Sequence, residues 1–249
     1  MIPIAIKFSG LKVTPIERDA LREYLITTLF EKGKFRILIL DEKKMFHSIF
    51  DKQLREIINR AEIVLCSSQT VRWAVKLFTK KKVPITMPVT LMLDLLRASE
   101  EMSYTVFLFG GDRQISSLTV NMIRKSFPQV RIVGNYPSNI SSAELENVQI
   151  AFRKSAPQIF FAGLNGGKKQ EIWLTEQSQN LSSSVVVGAD DAFRVIAGRK
   201  QMPPIWVQQK EWTGLYRLIR NPFNVVRWFR ITIIFFVTIY RKLFRKNGL

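Results

Sequence analysis

The sequence predicts an α/β protein: a mainly parallel sheet with helices on both faces, followed by a basic amphipathic helix at the C-terminal end. Three observations predict it. Apolar runs of strand length alternate with segments of helical periodicity along the first two hundred residues. Runs such as YTVFLF at 104–109 and IFFA at 159–162 are continuously apolar, as strands buried on both faces are. Glycine turns close three of them, at Gly110 and Gly111, at Gly163 to Gly167 and at Gly188.

In chain order, Met1 to Lys7 reads as a first strand, too short and too lightly charged at its start for a signal peptide. Thr14 and Glu17 have capping-box spacing and open a helix carrying Leu21, Leu25, Ile26 and Leu29 on one face. Phe35 to Leu40 is a second strand, 46–59 a helix, and Ala61 to Cys66 a third strand that ends in the polar turn Ser67, Ser68, Gln69, Thr70. A short helix over 71–78 and the basic run Lys80 to Lys82 lead to a loop bracketed by Pro84 and Pro88, then to a Leu- and Met-rich helix ending near Ser99. Tyr104 to Phe109 is a strand, 115–126 a helix and Arg131 to Gly134 a strand. Ser141 or Ser142 caps a helix through Ser155, with Glu144 and Glu146 in its first turn. After the strand Ile159 to Ala162 come a helix from Glu171, the strand Ser184 to Val187 and the turn Gly188 to Asp191.

With 249 residues, 47% of them hydrophobic, the chain can bury one good core. It divides into an α/β core over 1–198 and an appendage over 199–249. The formal charge of +18 calls for an anionic partner: nucleic acid, an anionic membrane surface or a phosphate-rich substrate. From Arg199 onward there are eleven Lys and Arg against the single acid Glu211, so just over half of the excess lies in the last fifth. Within that stretch, the unbroken apolar run ITIIFFVTIY (231–240) between basic clusters suits lipid better than a nucleic-acid backbone. Ten residues of helix reach only about 15 Å, too short to cross a bilayer, so this segment is expected to lie in the interface. Cys66 is the only cysteine and His47 the only histidine. An internal disulfide is therefore excluded, a Ser-His-Asp triad or multi-histidine metal site is disfavoured, and Cys66 reads as a small core residue. No metal or cofactor is implied. Neither G-x-G-x-x-G nor G-x-x-x-x-G-K-[ST] occurs, which argues against a dinucleotide oxidoreductase or a P-loop ATPase.

The glycine turns lie at carboxyl ends of strands, where open α/β sheets bind ligands and a helix N-terminus offers positive charge to a phosphate. Five collinear segments then carry a resemblance: FLFGG (107–111), SFPQVRIVG (126–134), FFAGLNGGKKQEIW (160–173), VVGADDAFRVIAGRKQMPPIWVQQ (186–209) and GLYRLIRNP (214–222). In this order they resemble the bacterial WecG/TagA/CpsF-type glycosyltransferases. The resemblance implies a Rossmann-like core with a membrane-associating C-terminal appendage, peripheral on the cytoplasmic face of the cell membrane. It implies sugar transfer from a nucleotide diphosphate donor, UDP-N-acetylmannosamine in some members, to a polyprenyl-diphosphate-linked acceptor, with no obligatory metal. It places Gln170 and Glu171 on the nucleotide sugar; Gly110, Gly111 and Gly163 are candidates beside them through their place at the same sheet edge. Such members commonly carry Asp-Gly after the third strand, the Asp proposed as base, where this chain has Ser67 and Ser68. Their Gly-Gly-Ala-Phe-Asp is here Asp190, Asp191, Ala192, Phe193, Arg194, and their Arg-Ala-Pro is Met202, Pro203, Pro204. An acceptor hydroxyl must lose its proton as the glycosidic bond forms, and Asp190 and Asp191 are the carboxylates offered for it at the same sheet edge. Arg194 and Arg217 are offered for the departing or lipid-borne diphosphate. The alternative is a non-catalytic relative that binds a lipid-linked sugar or a partner enzyme. A homo-oligomer is compatible with either.

Overall fold

A computed structural model gives the structure over residues 3–30, 34–164, 167–179, 184–204, 206–207, 216, 219 and 225–244. The side chains of 28–30, 142–143, 177–179, 184 and 190 are excepted. The chain divides into two compact units, one of Met1–Glu17, Ile39–Thr86 and Met202–Leu249, the other of Arg18–Leu38 and Met87–Gln201.

The elements in order are β1 (Ile6–Phe8), β2 (Leu11–Val13), α1 (Arg18–Phe30), β3 (Lys34–Leu40), α2 (Glu42–Phe50), α3 (Lys52–Arg60), β4 (Ile63–Cys66) and α4 (Gln69–Thr79). They continue with α5 (Pro88–Glu101), β5 (Thr105–Gly110), α6 (Arg113–Ser126), β6 (Arg131–Tyr136), α7 (Ser142–Ser155), β7 (Ile159–Gly163), α8 (Lys168–Gln179), β8 (Ser184–Gly188) and α9 (Asp190–Ile196). The last described helix is α10 (Val225–Phe244). Six strands form one sheet in the order β4-β3-β8-β7-β5-β6. The pairs β3·β8, β8·β7, β7·β5 and β5·β6 all run parallel. This is the α/β architecture that the alternation predicts.

Four local expectations are corrected. The N-terminal strand is a hairpin: β1 and β2 pair antiparallel, and the turn uses Ser9 and Gly10 at φ 45° and 78°, as a two-residue hairpin loop requires. Thr14 is no helix cap, because its Oγ1 accepts the Val64 N–H at 3.2 Å while its own N–H donates to the Val64 carbonyl. The helix expected over 46–59 is two helices. Asp51 sits extended between them, gives its N–H to the His47 carbonyl and caps α3 by accepting from Leu54 N at 3.0 Å. Finally, α10 has twenty residues rather than ten, about 30 Å of helix. Length alone would then let it span a bilayer, but its charges do not: among the described residues no helix is long and apolar enough to cross a membrane.

In the second unit the sheet separates two helical layers. Phe107 and Phe109 of β5, Phe160 and Ala162 of β7 and Val186 of β8 face Val148 and Phe152 of α7 and Leu174 of α8. On the opposite face pack α5, α6 and α9, with Thr119 of α6 donating to the Phe193 carbonyl of α9. Both faces of β5 and β7 are thus covered, which is why their sequences lack polar alternation.

In the first unit, α10 lies against α2 and α4. Ile234 and Thr238 are buried there, Phe235 stacks on Trp73 at 4.9 Å, and Arg227 Nε meets Glu42 Oε2 at 3.1 Å. Arg241 Nη1 donates to the Ser9 carbonyl at 2.6 Å. The side turned to the protein is therefore the one with the two arginines. Outward, Val225, Val226, Phe229, Phe236, Tyr240, Leu243 and Phe244 are each at least 60% exposed. At about 100° per residue, those seven positions fall in one sector roughly 100° wide, an apolar stripe of the width that is normally buried.

Candidate active site

The second unit gathers its glycine turns at the carboxyl edge of the sheet. A Cβ on Gly110 would lie 2.5 Å from the Gly163 Cα and N, so β5 and β7 approach at their ends as only glycine permits. Gly111, at φ 68°, donates its N–H to the Gly163 carbonyl at 3.0 Å. Beyond Gly163 the chain turns into α8, which starts at Lys168, three residues before the expected Glu171.

Gln170 and Glu171 in the first turn of α8 are both 1% exposed. The Gln170 Oε1 accepts the Leu164 N–H at 2.8 Å, which fixes the carboxamide. Its Nε2 is buried and has no hydrogen-bond partner among the described residues. A side chain on Gly188 would occupy the space beside it, since a Cβ there would lie 2.6 Å from Nε2. Burying such a donor unpaired costs about 1–3 kcal/mol. Beneath this turn, Arg36 of β3 is 4% exposed and its Nη1 donates to Thr175 Oγ1 and, at 3.5 Å, to the Glu171 carbonyl. The sequence signal for Arg36 was a charged residue inside the apolar run FRILIL.

A cavity of about 440 Å³ opens at the end of β6. Its walls include Arg113 and Ser117 of α6, Asn135 and Tyr136 of β6, and Ile140 and Asn147 on the α7 side. None of these residues stood out in the sequence. The Ser116 hydroxyl donates to Asn135 Oδ1 at 2.9 Å, and the Tyr136 ring stacks on Phe107 at 5.6 Å.

The Glycosyl transferase WecG/TagA/CpsF family model matches residues 6–248. The chain belongs to the WecG/TagA/CpsF glycosyltransferase family. Two relatives are both described as N-acetylglucosaminyldiphosphoundecaprenol N-acetyl-beta-D-mannosaminyltransferase. That of Bacillus spizizenii (strain W23) is 23% identical over 214 residues, 85% of this chain and 80% of the relative. That of Bacillus subtilis (strain 168) is 26% identical over 141 residues, 57% of this chain and 53% of the relative.

Family membership makes the position of Ser67 informative. In the first unit Ser67 follows β4, its N–H and hydroxyl both directed to the Leu40 carbonyl at 3.0 and 3.3 Å. Ser68 caps α4, accepting from Val71 N. A carboxylate does stand in the same unit one residue beyond Leu40: Asp41, half-buried, which caps α2 by accepting Lys44 N at 2.7 Å. In the sequence Asp41 reads as one more polar residue between a strand and a helix, and nothing sets it apart. Asp190 opens α9, and Asp191 next to it pairs with Lys200 at 2.8 Å. Arg194 is exposed in the last turn of α9, while Arg217 lies outside the described residues. Among the described residues no three His, Cys, Asp or Glu come together in a way that could hold a metal ion.

Proposed function

We propose that this glycosyltransferase moves a sugar from a nucleotide diphosphate donor to a polyprenyl-diphosphate-linked N-acetylglucosamine, the relatives' names pointing to N-acetylmannosamine as the sugar. The observation that carries the reading is the Gln170 carboxamide, held by Leu164 N with its buried Nε2 aimed at the glycine-lined end of β8. The donor diphosphate lies along the Gly163 turn, between that amide and the start of α8. In the reaction the acceptor oxygen bonds to the anomeric carbon, the bond from that carbon to the diphosphate breaks, and the nucleotide diphosphate leaves with the electron pair. The acceptor proton passes to a carboxylate, for which Asp190 and Asp191 are the candidates on the donor-binding unit. Arg194 and Arg217 serve the diphosphates.

The enzyme works at a membrane surface through the outward stripe of α10. A surface helix normally buries its one apolar face, whereas α10 buries Ile234 and still leaves a second apolar stripe exposed, which supports lipid as the covering phase. Arg227 and Arg241 hold the helix to its unit, so the cations left for anionic headgroups on the described helix are Arg230 and Lys242. The attachment is peripheral, on the cytoplasmic face where nucleotide sugars are made.

A thermal-shift measurement tests the donor site. At a hundredfold excess over Kd, ligand binding stabilises the native state by about 2.7 kcal/mol, raising Tm by roughly 5–10 °C for a chain of this size. UDP should do this for the parent and not for Gln170→Ala. Equal protection of both would remove Gln170 from the site.

A further inference from the structure

We infer that four lysines at the end of α4, Lys76, Lys80, Lys81 and Lys82, form with Lys242 of α10 a basic ridge that holds the anionic headgroups of a phospholipid surface. This rests on the membrane reading above and extends it to a second element, far in sequence from the C-terminal helix. Residues 63–93 carry five Lys and Arg and no Asp or Glu, so the cluster has no acid of its own. Lys76, Lys80, Lys81 and Lys82 are all exposed, and among the described residues none of them is paired with a carboxylate. Like charges gathered without counter-charge repel one another, and an anionic partner relieves that repulsion.

Contacts within the first unit fix where the ridge lies. The start of α2 stands beside the carboxyl end of β4, because the Leu40 carbonyl just before it accepts the Ser67 N–H at 3.0 Å. Arg227 on Glu42 therefore puts the start of α10 at that end. The β1–β2 turn lies at the other end of β4: Asn59, in the last turn of α3, donates to the Gly10 carbonyl at 3.0 Å, and α3 leads into the start of β4. Arg241, bonded to Ser9, brings the last turns of α10 there. Since α4 also starts where β4 ends, α10 and α4 run in the same direction.

The stack of Trp73 on Phe235 sets the register between the two helices. Lys76 lies about 60° round α4 from Trp73. Lys80, at φ 57°, closes that helix by donating its N–H to the Lys76 carbonyl at 2.9 Å. Lys80 is seven positions beyond Trp73, and Lys242 is seven beyond Phe235 on the same side of α10, within about 20° of it. The lysines of the two helices therefore come level, about 10 Å along from the aromatic pair. Phe235 points about 130° away from the middle of the outward apolar stripe. With helix axes about 8–10 Å apart, α4 then lies beside α10 and only about 6 Å further from the surface that the stripe enters. That is inside the Debye length of about 8 Å at physiological salt, so the ridge feels the charge of the headgroups.

Co-sedimentation with vesicles of phosphatidylcholine, alone or mixed with phosphatidylglycerol, tests this. Lys76→Gln, Lys81→Gln and Lys82→Gln combined removes three exposed charges and spares Lys80, whose left-handed backbone closes the helix. At about fivefold per cation, the mixed vesicles should bind this variant roughly a hundredfold more weakly than the parent. Lys76→Arg, Lys81→Arg and Lys82→Arg combined should bind them as the parent does, since charge is what is kept. If the glutamine variant sediments with mixed vesicles as the parent does while Phe229→Glu with Phe236→Glu is released, the ridge is a solvated face, the inference is overturned and the membrane reading stands. If it keeps the vesicles but loses a single-stranded DNA that the parent binds, the ridge serves nucleic acid and the inference is again overturned. If the parent binds neither kind of vesicle, the inference falls together with the membrane reading.

Discussion

Gly188→Ala is the smallest change that reaches the proposed donor contact. Gly188 has no positive φ, so alanine brings no backbone strain. Its Cβ would sit 2.6 Å from Gln170 Nε2 and 3.4 Å from Leu174 Cδ1. The second contact is ordinary; the first is impossible, and the amide must retreat by about 0.8 Å to reach normal separation. The amide is the end of a flexible side chain, so the fold yields there at the expense of its bond from Leu164 N, about 0.5–1.5 kcal/mol. That predicts a Tm fall of only about 1–6 °C. Binding should suffer more. A hydrogen bond to a charged group contributes about 1.5–3 kcal/mol, so moving Nε2 away from a diphosphate oxygen should weaken UDP roughly 10- to 150-fold. Calorimetry on parent and variant measures this. Unchanged affinity with a shifted Tm would refute the argument that Gly188 is a glycine for the sake of the Gln170 amide and its ligand.

Other perturbations bear on other parts. Gly110→Ala forces a Cβ against Gly163 backbone atoms at 2.5–2.7 Å, which no side-chain movement relieves; a loss of about 3 kcal/mol or more and a Tm fall of at least roughly 6 °C are expected by calorimetric melting. Glu42→Gln breaks the largely buried pair with Arg227 and should speed tryptic cleavage within α10 while leaving the second unit's amide exchange unchanged. Phe229→Glu with Phe236→Glu places two charges in the outward stripe without touching the buried Ile234, and should release the protein from anionic vesicles; co-sedimentation equal to the parent's would move the anchor elsewhere. Burial pushes the Cys66 thiol up to about 11. It should therefore resist thiol reagents at neutral pH, and its contribution to stability, intact below the unfolded thiol's range, should fade as pH rises from about 9 through 11. The Ser141 N–H and hydroxyl hold the Glu144 carboxyl below its ordinary value, so this cap persists above the usual carboxylate range and is lost as pH falls below the lowered value, seen as faster amide exchange at the start of α7.

The sheet was legible because each buried strand is an apolar run of four to seven residues closed by glycine or a polar turn. Helix boundaries were less so. Asp51 caps a second helix through a side-chain bond that looks, in sequence, like one more polar residue on an amphipathic helix. Thr14 and Glu17 have the spacing of a cap, yet tertiary pairing with Val64 claims the threonine first. At the site, Gln170 was legible from its place after the glycine turn; that its amide is fixed on one side and, among the described residues, unpartnered on the other is decided by tertiary packing. Gly188 looked like one more turn residue, because the atom that needs its missing side chain lies eighteen positions away. The cavity was invisible, since Ser117, Asn135 and Asn147 are exposed polar residues that meet only through the crossover from α6 to α7. For α10 the sequence showed an apolar run between cations but not that two of those cations face inward.

Sugar transfer itself is the most direct measurement. Purified protein on anionic vesicles is given UDP-N-acetylmannosamine and polyprenyl-diphosphate-linked N-acetylglucosamine, and the lipid product is read by mass spectrometry, with Asp190→Asn, Asp191→Asn, Asp41→Asn and Gln170→Ala in parallel. The prediction is an acceptor extended by one N-acetylhexosamine, with transfer lost in Gln170→Ala and in at least one of the Asp190 and Asp191 variants. Loss in Asp41→Asn alone among the three would put the base in the first unit, since asparagine caps α2 as well as aspartate does. An acceptor left unextended by the parent with every nucleotide sugar supplied, while UDP still binds, would contradict the transferase reading and leave a protein that holds a nucleotide sugar without using it.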